Sequence, residues 1–281
     1  NLWEVLGCLR WLRLAATYEV DTEYMHMIFR VVEGQWEGGR WVEGSGGLAF
    51  DGMRGKTHYR LTNFQVWAFT SLFALYCWVP TERCGDDPDL QLAETEQINP
   101  DDGMVYDRRR LCTDFIFFCP RKVGKTWFAA VVDVLIFMLL GDYNSQLAMC
   151  ANSEDQSKIL FEKFKSLLLN LDPKGKRIRT TTKVANWRPF QIRACEAIAF
   201  SSGGEKKDGF FAEVVNGDEF GSAAYINHRC SMSELLNVMY SSMGPRRQPL
   251  RLITTTAGHA IQGPFQNELE GVKQLLENEM N

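Results

Sequence analysis

The sequence predicts an α/β chain built on a mainly parallel sheet with helices on both faces. Three observations predict it. From residue 111 onward, apolar strand-like runs alternate with helix-forming runs, the pattern of strand–helix units whose sheet is covered on both sides. One apolar run, Asp114-Phe-Ile-Phe-Phe118, stops abruptly at a loop ending in Gly124-Lys125-Thr126, and a second apolar run, Trp127 to Leu140, follows it. Two later strand-like runs end as abruptly in polar residues, at Asp218-Glu219 and at Thr254-Thr255-Thr256.

Along the chain, Trp3 to Tyr18 reads as an amphipathic helix. Glu33 to Gly47, rich in Gly, Glu and Trp, reads as turns or short hairpins. Residues 62–78 are aromatic with a helical pattern. Pro80 to Asp107 is acidic and polar, with turn signals at Asp86-Asp87-Pro88 and Asn99-Pro100-Asp101-Asp102-Gly103, and reads as a surface excursion. Trp127 to Leu140 is a helix, apolar nearly all round because sheet and neighbouring helices bury it. It contains Asp133 and falls short of the ~20 residues a membrane span needs. Gln146 to Ala151 is a short strand. Ser153-Glu-Asp-Gln156 forms a capping box, opening a helix in which Leu160, Phe164, Leu167, Leu168 and Leu171 recur at helical spacing. Pro173 and Gly175 end that helix. Strands are expected near Phe190–Cys195 and Ala197–Phe200, before the Asp-Glu strand. Ser231-Met-Ser-Glu234 caps a further helix that Gly244-Pro245 ends, and Gln262 to Asn281 reads as one amphipathic segment.

Length and composition bound the reading. A chain of 281 residues allows one or two domains, and 45% hydrophobic with 23% charged residues fits a folded protein with a sizeable core. The net charge of −4 gives a nucleic-acid partner no whole-chain support, so any such contact needs a local patch. The eight cysteines are scattered without C-x-x-C pairs, which argues against zinc and for reduced, intracellular thiols. Asn1-Leu-Trp-Glu lacks the basic start and apolar core of a signal peptide.

The chemistry sits at the three abrupt strand ends. A strand, a Gly-Lys-Thr loop and a helix form the layout of a phosphate-binding loop. Backbone N–H groups of Arg121, Lys122, Val123 and Gly124 wrap the phosphates, Lys125 reaches the outer ones, and the Thr126 hydroxyl is a ligand for Mg²⁺. The helix adds its positive end to the same anion. The usual first glycine is replaced by Cys119. A second Gly-Lys-Thr, at Gly55 to Thr57, has neither a buried strand before it nor an apolar helix after it, and reads as a solvent loop. At the second strand end, Asp218 holds the Mg²⁺ shell and Glu219 polarises the water that attacks the γ-phosphate of ATP. At the third, the hydroxyls of Thr254, Thr255 and Thr256 are placed to sense that phosphate. Arg121, inside the loop, can stabilise charge on the transferring phosphoryl group. Together these predict a P-loop NTPase of the ASCE type over residues 61–281, with a helical and irregular N-terminal extension over residues 1–60.

The same motifs, in the same order, resemble the ATPase half of the large terminase subunit, the DNA-packaging motor of tailed double-stranded DNA phages. Pro120-Arg121-Lys122-Val123-Gly124-Lys125-Thr126 is similar to that family's phosphate loop, in which the first glycine is commonly missing. Asp218-Glu219 and Ile253-Thr-Thr-Thr-Ala-Gly258 match its next two motifs. Leu61-Thr-Asn-Phe-Gln65 resembles the segment whose glutamine contacts adenine, and Tyr143 to Lys165 also fits. The resemblance covers roughly residues 55–270. It implies ATP and Mg²⁺ as cofactors, and double-stranded DNA, a portal protein, a small terminase subunit and further copies in a ring on the procapsid as partners. It implies action in the cytoplasm of the infected bacterium, outside the mature virion and away from any membrane. The family's second machine, a metal-dependent nuclease, needs several clustered carboxylates. Gln262 to Asn281 offers only scattered Glu, so ATP hydrolysis without DNA cleavage is expected.

Two basic segments are candidates for DNA contact, which neutralises phosphates irrespective of sequence. One is Lys174, Lys176 and Arg177, with Arg179 and Lys183 nearby. The other is the loop carrying Lys206 and Lys207. A solvated surface is their alternative reading. Arg246 and Arg247 follow a helix end and are candidates for an inter-subunit arginine finger. Two other functions fit the motifs: a helicase-like P-loop ATPase acting on nucleic acid, and a nucleotide-binding assembly module. The Asp218-Glu219 pair favours hydrolysis over binding alone.

Overall fold

The computed structural model describes residues 2–52, 55–58, 60–142, 144–172, 174–187, 195–202, 210–225, 230–256 and 263–278. Leu2–Thr17 (α1) leads through Glu19–Val20 (β1) to Thr22–Glu33 (α2), which Asp21 caps by accepting from Tyr24 N at 2.7 Å. Two hairpins follow, Trp36–Glu37 (β2) with Arg40–Trp41 (β3), and Ala49–Gly52 (β4) with Gly55–His58 (β5). Asn63–Phe73 (α3) precedes three strands, Leu75–Cys84 (β6), Glu96–Ile98 (β7) and Met104–Arg110 (β8). The rest alternates: Asp114–Phe118 (β9), Lys125–Leu135 (α4) with a π-helical turn at Ile136–Leu140, Gln146–Ala151 (β10) and Glu154–Leu171 (α5). Then come Ile178–Thr180 (β11), Val184–Trp187 (β12), Cys195–Ser201 (β13), Val214–Asp218 (β14), Ser231–Ser241 (α6), Leu250–Thr255 (β15) and Pro264–Asn278 (α7).

Seven strands form the main sheet in the order β11-β12-β13-β10-β14-β15-β9. The five from β13 to β9 are mutually parallel, and β12 runs antiparallel to both β11 and β13. Strand β15 lies between β9 and β14, so the threonine strand separates the phosphate-loop strand from the Asp-Glu strand. Register levels the three strand ends: Asp218 stands beside Ala151 and Thr254, and Thr255 beside Phe118.

Both faces are covered, as the alternation predicts. On one face α3, α4 and α5 bury Phe69, Phe128, Phe161 and Phe164 against the sheet. Phe128 packs its ring 4.3 Å from Phe117 of β9 and 4.7 Å from Phe69. Each fully buried ring is worth about 2–3 kcal/mol of transfer free energy. This makes α4 one of the most firmly seated elements. On the other face α6 and α7 bury Met232, Leu235, Leu236 and Phe265. No described helix is long and apolar enough to cross a membrane.

Several local expectations are corrected. The helix predicted over 62–78 stops at Phe73, and β6 begins at Leu75. The excursion from Pro80 to Asp107 is instead most of a four-stranded antiparallel sheet, β1-β6-β8-β7. Its signal was hidden because the buried positions of β8 include Asp107 and Arg110, whose charges are satisfied by partners. The second Gly-Lys-Thr lies in β5 of a hairpin rather than in a loop, and Asn170 of α5 donates to Ala49 O of its partner strand at 2.6 Å. The antiparallel pair β11–β12 was not foreseen. The strand expected near Phe190–Cys195 lies largely outside the described residues, whereas Ala197–Phe200 falls within β13. Helix α6 has Cys230 at its N-cap, with no side-chain cap bond, so Ser231 does not serve as a cap.

Arg247 ties the small sheet to the main one. Its guanidinium donates to both Asp107 carboxylate oxygens and to Thr95 Oγ1, while Arg109 Nε donates to Asp107 Oδ2 at 3.0 Å. Burial alone would raise the Asp107 carboxyl, but the hydrogen bonds from Arg247 and Arg109 hold it below its ordinary value. A depressed carboxyl stabilises above its unfolded pKa, and that contribution is lost as pH falls through the folded one. Arg247→Ala should therefore lower the unfolding free energy at pH 7 by about 2 kcal/mol, Arg109 still sharing the buried charge. The loss should shrink below about pH 4. Urea unfolding at both pH values measures it.

Candidate active site

The loop between β9 and α4 is shaped by two left-handed residues, Lys122 (φ 68°) and Gly124 (φ 86°). Cys119 is not among the positive-φ residues, which explains why a side chain is accepted where a glycine is usual. The Cys119 thiol is buried and its N–H donates to Thr255 O at 3.2 Å. The left-handed backbone is what calls for glycine at Gly124, since a Cβ there would make only an ordinary contact, 3.4 Å from Gln65 Nε2. Gly124 offers no side-chain cap to α4, which leaves the first N–H groups of the helix available to an anion. Arg121 and Lys122 are exposed, and Val123 is partly buried.

Lys125 reaches across the strand ends. Its ammonium lies 2.9 Å from Asp218 Oδ1 and 2.7 Å from Glu219 Oε1, with its own side chain only 11% exposed. Burial alone would lower its pKa, but the Asp218 and Glu219 carboxylates hold it above the ordinary lysine value. Thr126 Oγ1 donates to Asp218 Oδ2 at 3.4 Å, and Thr254 Oγ1 donates to Asp218 Oδ1 at 2.6 Å. Thr255 Oγ1 accepts from Gly221 N at 2.7 Å and donates to Thr256 O at 3.0 Å. Thr254, Thr255 and Thr256 are all buried. Thr254 and Thr255 thus bond directly to the end of β14 and the turn that follows it.

Glu219 takes a left-handed backbone, φ 57° and ψ 33°, a conformation that costs a non-glycine residue about 1–2 kcal/mol. Its neighbours hold it there. Glu219 N donates to Thr254 O at 2.8 Å, and Glu219 O accepts from Ser222 N at 2.9 Å, from Ser222 Oγ at 2.7 Å and from Asn152 Nδ2 at 3.2 Å. Ser202 Oγ in turn donates to Asn152 O at 2.6 Å. Sequence reading missed Asn152, Ser202 and Ser222. Only the strand order, which places Asn152 beside Glu219, singles them out.

The arrangement brings together Arg121, Lys122, Val123, Gly124, Lys125, Thr126, Asp218, Glu219, Thr254, Thr255 and Thr256. It offers a cation and backbone N–H groups for phosphates, a carboxylate at the same strand ends, and two hard oxygens, Thr126 Oγ1 and Asp218 Oδ2. That oxygen pair fits Mg²⁺, which keeps several waters and takes one or two protein ligands. Gln65 borders the loop, 1% exposed. Its Oε1 accepts from Thr62 N at 3.0 Å and Thr62 Oγ1 at 3.1 Å, completing the α3 capping box. Reading adenine through both carboxamide atoms requires that oxygen to leave the cap.

The other candidates lie elsewhere. Helix α5 starts at the phosphate end of the sheet and runs back, so Lys174, Lys176 and Arg177, all exposed, sit at the opposite end. Asp172 fixes this loop by accepting from Lys176 N, Arg177 N and Ile178 N at 3.1, 2.7 and 2.9 Å. Lys206 and Lys207 fall outside the described residues. Arg246 donates to Phe211 O and Asn144 O. Arg247 is bound to Asp107, so neither of these arginines is held free as a finger.

The family profile of the terminase large subunit ATPase domain matches residues 103–274. The chain belongs to that family. Membership identifies it as an ATPase domain. Among solved structures, the HK97 bacteriophage large terminase is 17% identical with a TM-score of 0.51, over 82% of this chain and 37% of that one. The chain thus spans little more than a third of that terminase, and the likeness is one of fold. The Thermus phage P74-26 large terminase ATPase domain is 17% identical with a TM-score of 0.41, over 52% of this chain and 61% of that one. A large terminase from a thermophilic bacteriophage, in complex with ATP-gamma-S, is 10% identical with a TM-score of 0.37, over 51% of this chain and 32% of that one. No curated protein sequence matches the chain.

Proposed function

We propose that this terminase ATPase domain hydrolyses Mg²⁺-bound ATP to drive translocation of double-stranded DNA into a phage procapsid. The observation that carries the reading is the Lys125 ammonium set between Asp218 and Glu219, at the level of three parallel strand ends. The loop N–H groups, Arg121, Lys122 and Lys125 hold the phosphates. Thr126 and Asp218 would hold Mg²⁺, which when bound would supply neutralisation of phosphate charge. Glu219 orients and polarises the attacking water, and Lys125 and Arg121 balance the charge that builds on the phosphoryl oxygens. Gln65 reads adenine, and Thr254, Thr255 and Thr256 couple the state of the γ-phosphate to β14 and the turn after it.

Its partners in this reading are double-stranded DNA, a portal protein, a small terminase subunit and sister copies in a ring, met in the cytoplasm of the infected bacterium. Lys174, Lys176 and Arg177 contact DNA phosphates, as do Lys206 and Lys207. The Asp172 bonds support the first group, because a fixed loop loses less entropy on binding. The test measures ATP turnover with and without double-stranded DNA, and DNA binding against salt. Turnover should rise with DNA. Replacing Lys174, Lys176 and Arg177 by Ala should lessen the salt slope by about 2–3. No hydrolysis at saturating ATP and Mg²⁺ would overturn the reading, and an unchanged slope would remove the loop from the DNA contact.

A further inference from the structure

Helix α4 is apolar along its buried length except at Asp133, which is fully buried. Opposite it stands Asn216 of β14, also fully buried, whose Nδ2 donates to Asp133 Oδ2 at 2.7 Å. Asp133 Oδ1 and Asn216 Oδ1 are both buried without a hydrogen-bond partner. Two acceptors left unpaired in an apolar core, on side chains already joined by one hydrogen bond, cost several kcal/mol in principle. A single proton satisfies both. Placed on Asp133 Oδ1, it is donated to Asn216 Oδ1, and acid and carboxamide each give and take one hydrogen bond.

The position gives the pair a role. Residues two apart on a strand share a face, so Asn216 and Asp218 both present their side chains to α4. Asp218 receives Lys125 and Thr126 from the start of α4, and Asn216 meets Asp133 about two turns on. The helix is therefore held to β14 at two levels. We propose that Asp133 is a positioning residue for the hydrolysis site: as a neutral carboxylic acid paired reciprocally with Asn216, it fixes the phosphate-loop helix along the strand that delivers Asp218 and Glu219. The inference rests on the ATPase reading above.

The charged form suits the site poorly. Burial first, then the nearby Asp218 carboxylate, raise the Asp133 carboxyl from 3.8 to about 8, against the lowering effect of the Asn216 bond. The titratable groups around it are Asp218 of β14 and Cys150 of β10, the latter itself pushed up by burial and by Asp133. Helix α5 buries Ser157, Leu160, Phe161, Phe164, Leu167 and Leu168, none charged, and β15 brings Thr254. A folded-state carboxyl raised in this way binds a proton the unfolded chain has released. Stability should thus decline with rising pH up to about pH 8 and level off above it.

Asp133→Asn separates this proposal from its rivals, because two carboxamides reproduce the reciprocal pair without a titrating proton. Asp133→Leu and Asn216→Leu remove it. We expect Asp133→Asn to keep kcat for ATP within about 2-fold of wild type at pH 7. The Leu variants should lose on the order of 10–100-fold in kcat, the scale of a displaced catalytic group. Between pH 6 and 9.5 the wild-type kcat should fall through pH 8, while that of Asp133→Asn should not. The thermal midpoint of wild type relative to Asp133→Asn should fall up to pH 8 and then stay level. An Asp133→Asn enzyme as impaired as Asp133→Leu, or pH profiles of wild type and Asp133→Asn that run parallel through pH 8, would overturn the proposal. A wild type without ATPase activity would instead refute the functional reading, and the thermal comparison would still decide the state of the pair.

Discussion

Lys125→Ala should abolish ATP hydrolysis, lowering kcat by ~10²-fold or more, the scale of removing one preorganised donor from a charged transition state. Two effects add. In the folded chain the Lys125 ammonium separates Asp218 from Glu219 at 2.9 and 2.7 Å. Without it two carboxylates face each other at the strand ends, and the thermal midpoint should fall as well. During turnover the same ammonium would balance the outer phosphates, which no other described residue at these strand ends replaces. Arg121 and Lys122 are exposed on the loop rather than buried among the carboxylates. Lys56→Ala is the internal control. It alters the second Gly-Lys-Thr, which lies in the β4–β5 hairpin and is not followed directly by a helix that could present N–H groups to a phosphate. Steady-state turnover of the two variants decides the matter. Equal turnover in both would remove the phosphate site from the β9–α4 loop.

That control shows why context, more than motif, made the site legible. Both Gly-Lys-Thr triplets are identical as strings, but only one follows an apolar strand of the main sheet, its edge strand β9, and opens a buried helix. The three strand ends were readable because a parallel sheet must place them on one side. Residues that departed from the usual pattern were less readable, and each proves to have a local reason. Cys119 replaces a glycine where no left-handed backbone is needed, the turns being made at Lys122 and Gly124. Gly217 breaks the apolar run of β14 because a Cβ there would meet Ile253 Cδ1 at 3.0 Å and Leu236 at 3.3 Å. Asn216 breaks it because Asp133 waits opposite.

What stayed hidden depends on pairing between distant segments. Strand β8 buries Asp107 and Arg110 beside a single apolar residue, Val105, and several of the partners that satisfy the two charges, Arg247, Gln248 and Pro249, lie far along the chain. Apolar and polar residues do not alternate in Met104–Arg110, so β8 reads as polar loop. Arg246 and Arg247 were drawn toward a finger role by their place after a helix, yet their bonds are structural. Asn152 is the most instructive omission. In sequence it is only the residue before a helix cap. In space it steadies the strained backbone of Glu219 through a contact that the β10–β14 register creates.

Glu219→Gln should leave ATP binding intact while lowering turnover by at least ~10²-fold. The change conserves shape, so Asn152, Ser222 and Thr254 can still hold the left-handed backbone. What it removes is the negative charge proposed to polarise water. Lys125 keeps its bond to Asp218 at 2.9 Å, and the phosphate contacts proposed for the loop would not involve the Glu219 side chain. Binding of a fluorescent ATP analogue should therefore change little, whereas single-turnover hydrolysis should slow. Asp218→Asn separates the neighbouring role. It sits at the meeting point of Lys125, Thr126 and Thr254, so its loss should weaken the dependence of turnover on Mg²⁺ and also lower thermal stability. A Glu219→Gln enzyme that turns over at the wild-type rate would exclude this carboxylate as the water-activating group. Because Glu219 bears a backbone strain of about 1–2 kcal/mol, Glu219→Gly gives a second reading of the same site. Glycine relieves the strain and should raise the thermal midpoint while hydrolysis is lost, so stability and activity move in opposite directions at one position.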